Sequence, residues 1–319
     1  MGGGHGLATL LRGLKRYARA SDGALEITAI VTVTDDGGSS GRLRRDFDVL
    51  PPGDIRNCMV ALSAEEDLLS KLFAYRFTSG AGLGGHSFGN LFITALSEIT
   101  GDFAHAVQLA SKILATRGRI YPATTSNATV VAHMEDGSVV RGETNITASK
   151  QRIAELMLDP PNAAAMPETL DAIQRADLIT VGPGSLYTSL ITNLLVQGIP
   201  SALAAATGIR VFICNLMTQA NESLGLTASE HIERIYEHTR APIFDYAIIN
   251  TAKFAPETLA RYAAENASPI AADIERVERL GVRCIAGDFA SEDNVVRHAA
   301  NRVTGALLAL GNSRSPNRL

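Results

Sequence analysis

A mostly apolar stretch, Leu25 to Val33, runs straight into TDDGGSSGRLRRDFDVLPPGDIRN, residues 34–57, and this junction limits the possible folds more than composition does. The first part is rich in β-branched residues and has the length of a buried strand. The second carries adjacent carboxylates, four arginines, a run of five glycines and serines and a Pro-Pro-Gly turn, which is not core composition. It reads as a loop that starts where a strand ends. Open α/β sheets bind ligands outside the carboxyl ends of their strands, so Asp35, Asp36, Gly37, Gly38, Ser39, Ser40 and Arg42 are the first site candidates. Glycines let backbone N–H groups face an anion, serines add hydroxyl donors, and arginine grips phosphate oxygens as a fork. The neighbouring carboxylates Asp35 and Asp36 suit a hard cation such as Mg²⁺ held against phosphate. A solvated turn would use Asp and Gly for backbone reasons alone. The arginines and a second polar turn, Gly53, Asp54, Arg56 and Asn57, weigh against that plainer reading.

A chain of 319 residues exceeds the usual domain size, yet an α/β protein of this length can be one unit, and residues 1–319 are read as a single domain. The net charge of −4 supplies no general attraction for nucleic acid or an anionic membrane, so anion binding must come from local clusters. Cys58, Cys214 and Cys284 are widely spaced and lack a C-x-x-C pattern, as expected for reduced thiols. Neither an apolar run long enough to span a bilayer nor a secretion signal is legible. The expected location is the cytoplasm.

Gly2 to Gly6 open the sequence, and Leu7, Leu10, Leu11 and Leu14 follow at helical spacing. A glycine turn feeding a helix N-terminus suits phosphate, but G-x-G-x-x-T falls short of the dinucleotide fingerprint and no strand precedes it. The expectation is a sheet slot beside residues 25–33 that an upstream segment would fill. Ser63 to Glu66 reads as a capping box opening a helix over 64–77. A second glycine-rich break, residues 80–90, leads into an apolar helix with Ser87 as N-cap and with His86 and Asn90 at its mouth. Another helix is expected over 102–116. Residues 128–146 read as an antiparallel hairpin turning at Asp136-Gly137, followed by a short helix and a Pro- and Ala-rich connection. Asp177 to Val181, then Gly182-Pro-Gly-Ser, make a third phosphate-cradle candidate, with Gly184 and Ser185 at a helix start. The strand 209–214 ends at Asn215. Tyr262 on a helix over 256–264, and Arg297 near the start of a terminal helix from about 293, could stack on and clamp a nucleotide.

Taken together, GGGHG, VTVTDDGGSSGRLRRDF, PPGDIRNCMVAL, LLSKLFAYRF, GHSFGN, YPAT, ADLITVGPGSLYTSL and NLMTQ resemble the CofD-like family across nearly the whole chain. That family comprises bacterial gluconeogenesis factors of the YvcK type and 2-phospho-L-lactate transferases, and the wording around the loops is nearer the former. The resemblance implies a three-layer α/β/α Rossmann-like fold with a mostly parallel sheet and the hairpin 128–146 inserted, a homodimer, and binding of UDP-N-acetylglucosamine. It also implies roles in carbon metabolism and in cell shape or wall synthesis. By motif, Gly3, Gly4, Gly6, Asp36, Ser39, Ser40, Asn57, Asn90, Gly184, Ser185 and Asn215 would line the site, with Tyr262 and Arg297 as nucleotide clamps. His5 departs from the family, which commonly has Thr there.

Two functions remain from the residues. One is a nucleotide-sugar-binding regulator without turnover, favoured because anion cradles are plentiful and the sequence displays no nucleophile and base pair. The other is a Mg²⁺-dependent transferase of a phosphoester-linked group, in which Asp36 would be catalytic. A nicotinamide oxidoreductase lacks its full fingerprint.

Overall fold

The computed structural model describes residues 1–18, 25–64, 68–149, 151–220, 222–292 and 295–313. Its strands are β1 (Thr28–Val31), β2 (Arg119–Pro122), β3 (Thr129–Met134), β4 (Val139–Arg141), β5 (Ile153–Asp159), β6 (Leu178–Val181), β7 (Ile209–Ile213), β8 (Tyr246–Asn250), β9 (Arg283–Gly287), β10 (Ala290–Glu292) and β11 (Val296–His298). The first five helices are α1 (Gly4–Lys15), α2 (Gly38–Phe47), α3 (Gly53–Leu62), α4 (Leu68–Ala74) and α5 (Phe88–Thr100). β1 pairs with β2, and β6, β7, β8 and β9 pair in that order, all parallel. Parallel strands need crossovers, and helices between the strands supply them, which gives the expected Rossmann-like α/β architecture.

The slot beside β1 is taken by Met1 and Gly2. Gly2 N–H donates to the Ile30 carbonyl at 3.1 Å, Thr32 N–H donates to the Gly2 carbonyl at 3.1 Å, and Gly182 N–H donates to the Met1 carbonyl at 3.0 Å. Two residues thus knit β1 to the loop after β6 and bring three glycine-rich turns to one sheet edge. Behind them α1 buries Leu7, Leu10 and Leu11, each 2% exposed. At about 1.5–3 kcal/mol per fully buried side chain, these anchor the first turn to the core.

Residues 34–57 are not one loop. They contain α2 and the first half of α3, whose Ile55, Cys58, Met59 and Leu62 recur at i, i+3, i+4 and i+7 and are all buried. The loops are confined to the two turns at the starts of these helices. Ser63 does not open the next helix. It closes α3, its N–H donating to the Met59 carbonyl at 2.8 Å and its hydroxyl to the Leu114 carbonyl at 3.1 Å. The following helix is only α4, and Glu66 of the expected capping box lies outside the described residues.

The hairpin β3–β4 is antiparallel as expected, and a third strand, β5, joins it where a short helix was expected. A register shift between His133 and Met134 explains the misreading: a bulge lets Ile153 and Leu156, three apart, both face inward, which breaks the period-2 pattern. Arg297 and His298 lie on β11, with the terminal helix Ala300–Ser313 beginning after them. Among the described residues no helix is long and apolar enough to cross a membrane.

Candidate functional site

The carboxyl ends of β1, β6 and β7 and the turn Gly2–Gly6 surround a cleft of about 740 Å³. Gly3, Gly4, Gly6, Asp35, Gly37, Gly38, Ser39, Ser40, Asn57, Asn90, Gly184, Ser185, Asn215, Tyr262 and Arg297, all expected from sequence, line it. So do Asp54, Arg56, Arg76, Glu143 and Gln219, outside that expected set. The loops are close-packed, and glycine is required for it. A β-carbon on Gly6 would sit 2.5 Å from the Pro183 carbonyl oxygen, and one on Gly53 would sit 2.4 Å from Ser40 Oγ.

Each cradle holds a carboxylate or amide of its own. Asp35 Oδ1 accepts from Gly37 N–H at 2.9 Å and turns the chain into α2. Asp54 accepts from Gly4 N–H at the start of α1. Glu222 accepts from Tyr187 N–H at 3.2 Å, Thr188 N–H at 3.4 Å and the Thr188 hydroxyl at 2.9 Å, and so caps the helical turn after Gly184 and Ser185. Asn215 and Gly184 exchange a pair of bonds, with Asn215 Nδ2 donating to the Gly184 carbonyl at 2.8 Å. The β6 cradle is therefore largely filled by protein. At the start of α2 the first-turn N–H groups have no partner within the helix, an arrangement that suits an anion.

Three expected residues are not among those lining the cleft. Asp36 Oδ1 accepts from Thr144 N–H at 2.8 Å and from the Thr144 hydroxyl at 2.6 Å, which ties the end of the β1 loop to the turn after β4. Arg42 donates to the Gly84 carbonyl at 2.8 Å. His86, 5% exposed, stands behind Ser39, with Nδ1 3.0 Å from Ser39 Oγ. Asp35 and Asp36 thus serve different partners, and as placed they do not form the joint Mg²⁺ clamp expected from their adjacency. Among the described residues no group of three or more His, Cys, Asp or Glu side chains is placed to hold a metal ion.

Electrostatically the cleft is divided. Arg56, Arg76 and Arg297 supply positive charge, while burial, with Arg297, Arg12 and Arg56 adding repulsion, holds His5 below the ordinary histidine range. Burial, with Arg76 adding repulsion, pulls the Arg56 guanidinium down from its usual range. Its Nη2 donates to Asn57 Oδ1 at 2.6 Å, while its buried Nε has no partner. Opposite are Asp35, Asp54 and Glu143. Burial raises Asp54 to about 6, against the Gly4 hydrogen bond, and Asp35 adds to the rise. Burial raises Glu143 to about 9, with Asp35, Asp54, Glu222 and Asp36 adding repulsion. At the far end Tyr262 Oη accepts from Val296 N–H at 2.9 Å, fixing the β10–β11 hairpin that carries Arg297. His298 donates from Nε2 to the Cys214 carbonyl at 3.0 Å and is pushed down to about 4 by burial.

The Glu143 environment makes a stability prediction. Its carboxyl is protonated more readily in the folded chain than in the unfolded one, so its contribution is full below about 4.5 and declines as pH rises through about 9. Glu143→Gln removes that decline. The variant is expected to melt about 2 °C above the native chain at pH 8, with the advantage vanishing near pH 4, on the scale of about 1 kcal/mol. Calorimetric scans at both pH values decide it, and equal midpoints at pH 8 would refute it.

The fold and this cleft define a Rossmann-like α/β protein with its glycine-rich turns gathered around one cleft. The sequence profile described as 2-phospho-L-lactate transferase CofD matches residues 1–290, and the chain belongs to the CofD family. Within that family it is similar to proteins named gluconeogenesis factor. One from Halalkalibacterium halodurans is 46% identical over 310 residues, covering 96% of this chain and 94% of that one. One from Bacillus subtilis is 44% identical over 310 residues, covering 97% and 96%. A crystal structure of a Bacillus halodurans protein superimposes with a TM-score of 0.92 at 45% identity, covering 96% of this chain and 97% of that one.

Proposed function

We propose that this chain is a gluconeogenesis factor that binds UDP-N-acetylglucosamine and signals its level to carbon metabolism and to cell shape or wall synthesis without consuming it. It would act in the cytoplasm as a homodimer. The observation that carries the reading is the cleft: the glycine-rich turn Gly2–Gly6 and those after β1 and β6 converge on it, and Arg56, Arg76 and Arg297 line it. Such walls suit a diphosphate flanked by two larger groups, with Tyr262 and Arg297 at the nucleoside end. A ligand that binds only the folded form contributes about 2.7 kcal/mol at 100 times its dissociation constant, so saturating UDP-N-acetylglucosamine is expected to raise the melting temperature by roughly 5 °C. A flat response at millimolar ligand would sink this reading.

The transferase reading is kept alive by one contact, Ser39 Oγ at 3.0 Å from His86 Nδ1, a hydroxyl and base pair hidden from the sequence by its separation of 47 positions. Phosphorus NMR separates the two. Native protein with UDP-N-acetylglucosamine and Mg²⁺ is expected to leave the diphosphate resonances unchanged over hours, and release of UDP or of a new phosphoester would replace the regulator with a transferase.

A further inference from the structure

Ser39, His86 and Asn90 come from two separate glycine-rich segments and meet at the cleft wall, 4%, 5% and 2% exposed. Asn90 Nδ2 lies 3.2 Å from Ser39 Oγ, and Ser39 Oγ lies 3.0 Å from His86 Nδ1. Asn90 N–H also donates to Ser87 Oγ at 3.3 Å, which pins the first turn of α5. The other end of the amide, Asn90 Oδ1, is buried and has no partner. A buried acceptor left unpaired is costly and rare, and Asn90 lines the cleft.

The direction of the chain follows from His86. Burial holds its pKa below the ordinary histidine value, with Arg42 and Arg76 adding repulsion and Asp46 opposing them. Asn90 Nδ2 donates to Ser39 Oγ, and a neutral imidazole in the tautomer protonated at Nε2 accepts the Ser39 hydroxyl proton at Nδ1. That fixes the amide with its carbonyl oxygen as the unpaired atom. A carbonyl oxygen repels phosphate oxygens and accepts from hydroxyl or amide N–H groups.

We propose that Asn90 is a specificity-determining residue whose Oδ1 accepts a hydrogen bond from a hydroxyl or acylamino group on the sugar of the bound nucleotide sugar, with Ser39 and His86 as positioning residues that hold the amide that way round. The proposal rests on the nucleotide-sugar reading above. It places the sugar at the mouth of α5 and leaves the phosphates to the arginines and to the start of α2.

Titration calorimetry with UDP-N-acetylglucosamine and with UDP tests it. Asn90→Leu is expected to weaken the nucleotide sugar about 10- to 100-fold and UDP by less than about threefold, because only the former loses a donor's partner. Asn90→Asp retains the acceptor and the volume; its charge lowers both affinities while their ratio stays within about threefold of the native value. Ser39→Ala, a small change tolerated even if Asn90→Leu fails to fold, frees the amide to turn and is expected to lower that ratio by about threefold or more. Equal losses for both ligands in Asn90→Leu, or an unchanged ratio in Ser39→Ala, overturn the inference alone. Native protein that binds neither ligand overturns the nucleotide-sugar reading and this inference with it.

Discussion

Gly41→Ala is expected to yield a chain that does not fold. Within a helix interior this exchange ordinarily stabilises by about 1 kcal/mol through backbone entropy and propensity. Here a β-carbon would lie 1.8 Å from the Asp36 carbonyl oxygen and 2.4 Å from the Asp36 carbonyl carbon. Both obstacles are backbone, so no rotamer change relieves them. Either α2 moves away or the end of the β1 loop does, and each displacement pulls on contacts elsewhere: Asp36 with Thr144, and Ser39 with His86 and Asn90. The overlap outweighs the propensity gain, and a loss of more than about 4 kcal/mol is expected, in the rare tail of single substitutions. Far-ultraviolet circular dichroism and a thermal scan test it. A cooperative melt within about 2 °C of the native chain would show that the turn has room to give. A control is Gly38, with φ of 46° and nothing within 4 Å of its built β-carbon, where Ala meets only the backbone penalty of about 1–2 kcal/mol.

That glycine illustrates how the sequence informs and where it stops. The strand-then-glycine junctions at residues 33–38 and 181–185 were legible because buried parallel strands are continuous apolar runs and their ligand loops are not. Ser87 was legible as a cap, and its side chain accepts from Asn90 N–H. α2 was hidden because its inward face is Ser39, Ser40, Gly41 and Leu43, small residues that leave almost no hydrophobic periodicity. α3 was written plainly in Ile55, Cys58, Met59 and Leu62, but the polar turn before it drew the reading toward a loop. Glu143 and Arg76 could not be placed in the cleft from local pattern at all. The first reaches it from the short helix after β4, and the second from a segment paired through the bridge between Arg76 and Ser87. Asp36 shows the converse: adjacency in sequence to Asp35 suggested a shared cation, whereas Asp36 Oδ1 is engaged by Thr144 and Asp35 Oδ1 by Gly37 N–H.

Arg56→Gln is expected to cost about 30- to 100-fold in affinity for UDP and for UDP-N-acetylglucosamine alike, the worth of a charge-assisted contact to phosphate of about 2–3 kcal/mol. Arg56 is held at the cleft by its own surroundings. Gly89 lacks the β-carbon that would come within 2.9 Å of Arg56 Cγ and Cδ, and Asn57 Oδ1 fixes one guanidinium nitrogen at 2.6 Å. Placing a guanidinium beside Arg76 is unfavourable without an anion, as the lowering of its pKa by burial and by Arg76 records. Among the described residues neither Arg56 nor Arg76 makes an ion pair within 4.0 Å that would offset this. An incoming diphosphate supplies the missing charge to both groups at once. Removing Arg56 therefore weakens binding while relieving repulsion in the empty protein, so the ligand-free melting temperature is expected to hold or rise even as affinity falls. The two readouts move in opposite directions, which a simple folding defect cannot produce. Raising salt should erode the native affinity more steeply than the variant's, since the variant has one fewer cation to screen. Titration of native and Arg56→Gln protein at two salt concentrations, with thermal scans of each without ligand, decides it: unchanged affinity, or a loss matched by a fall in melting temperature, would remove Arg56 from phosphate recognition.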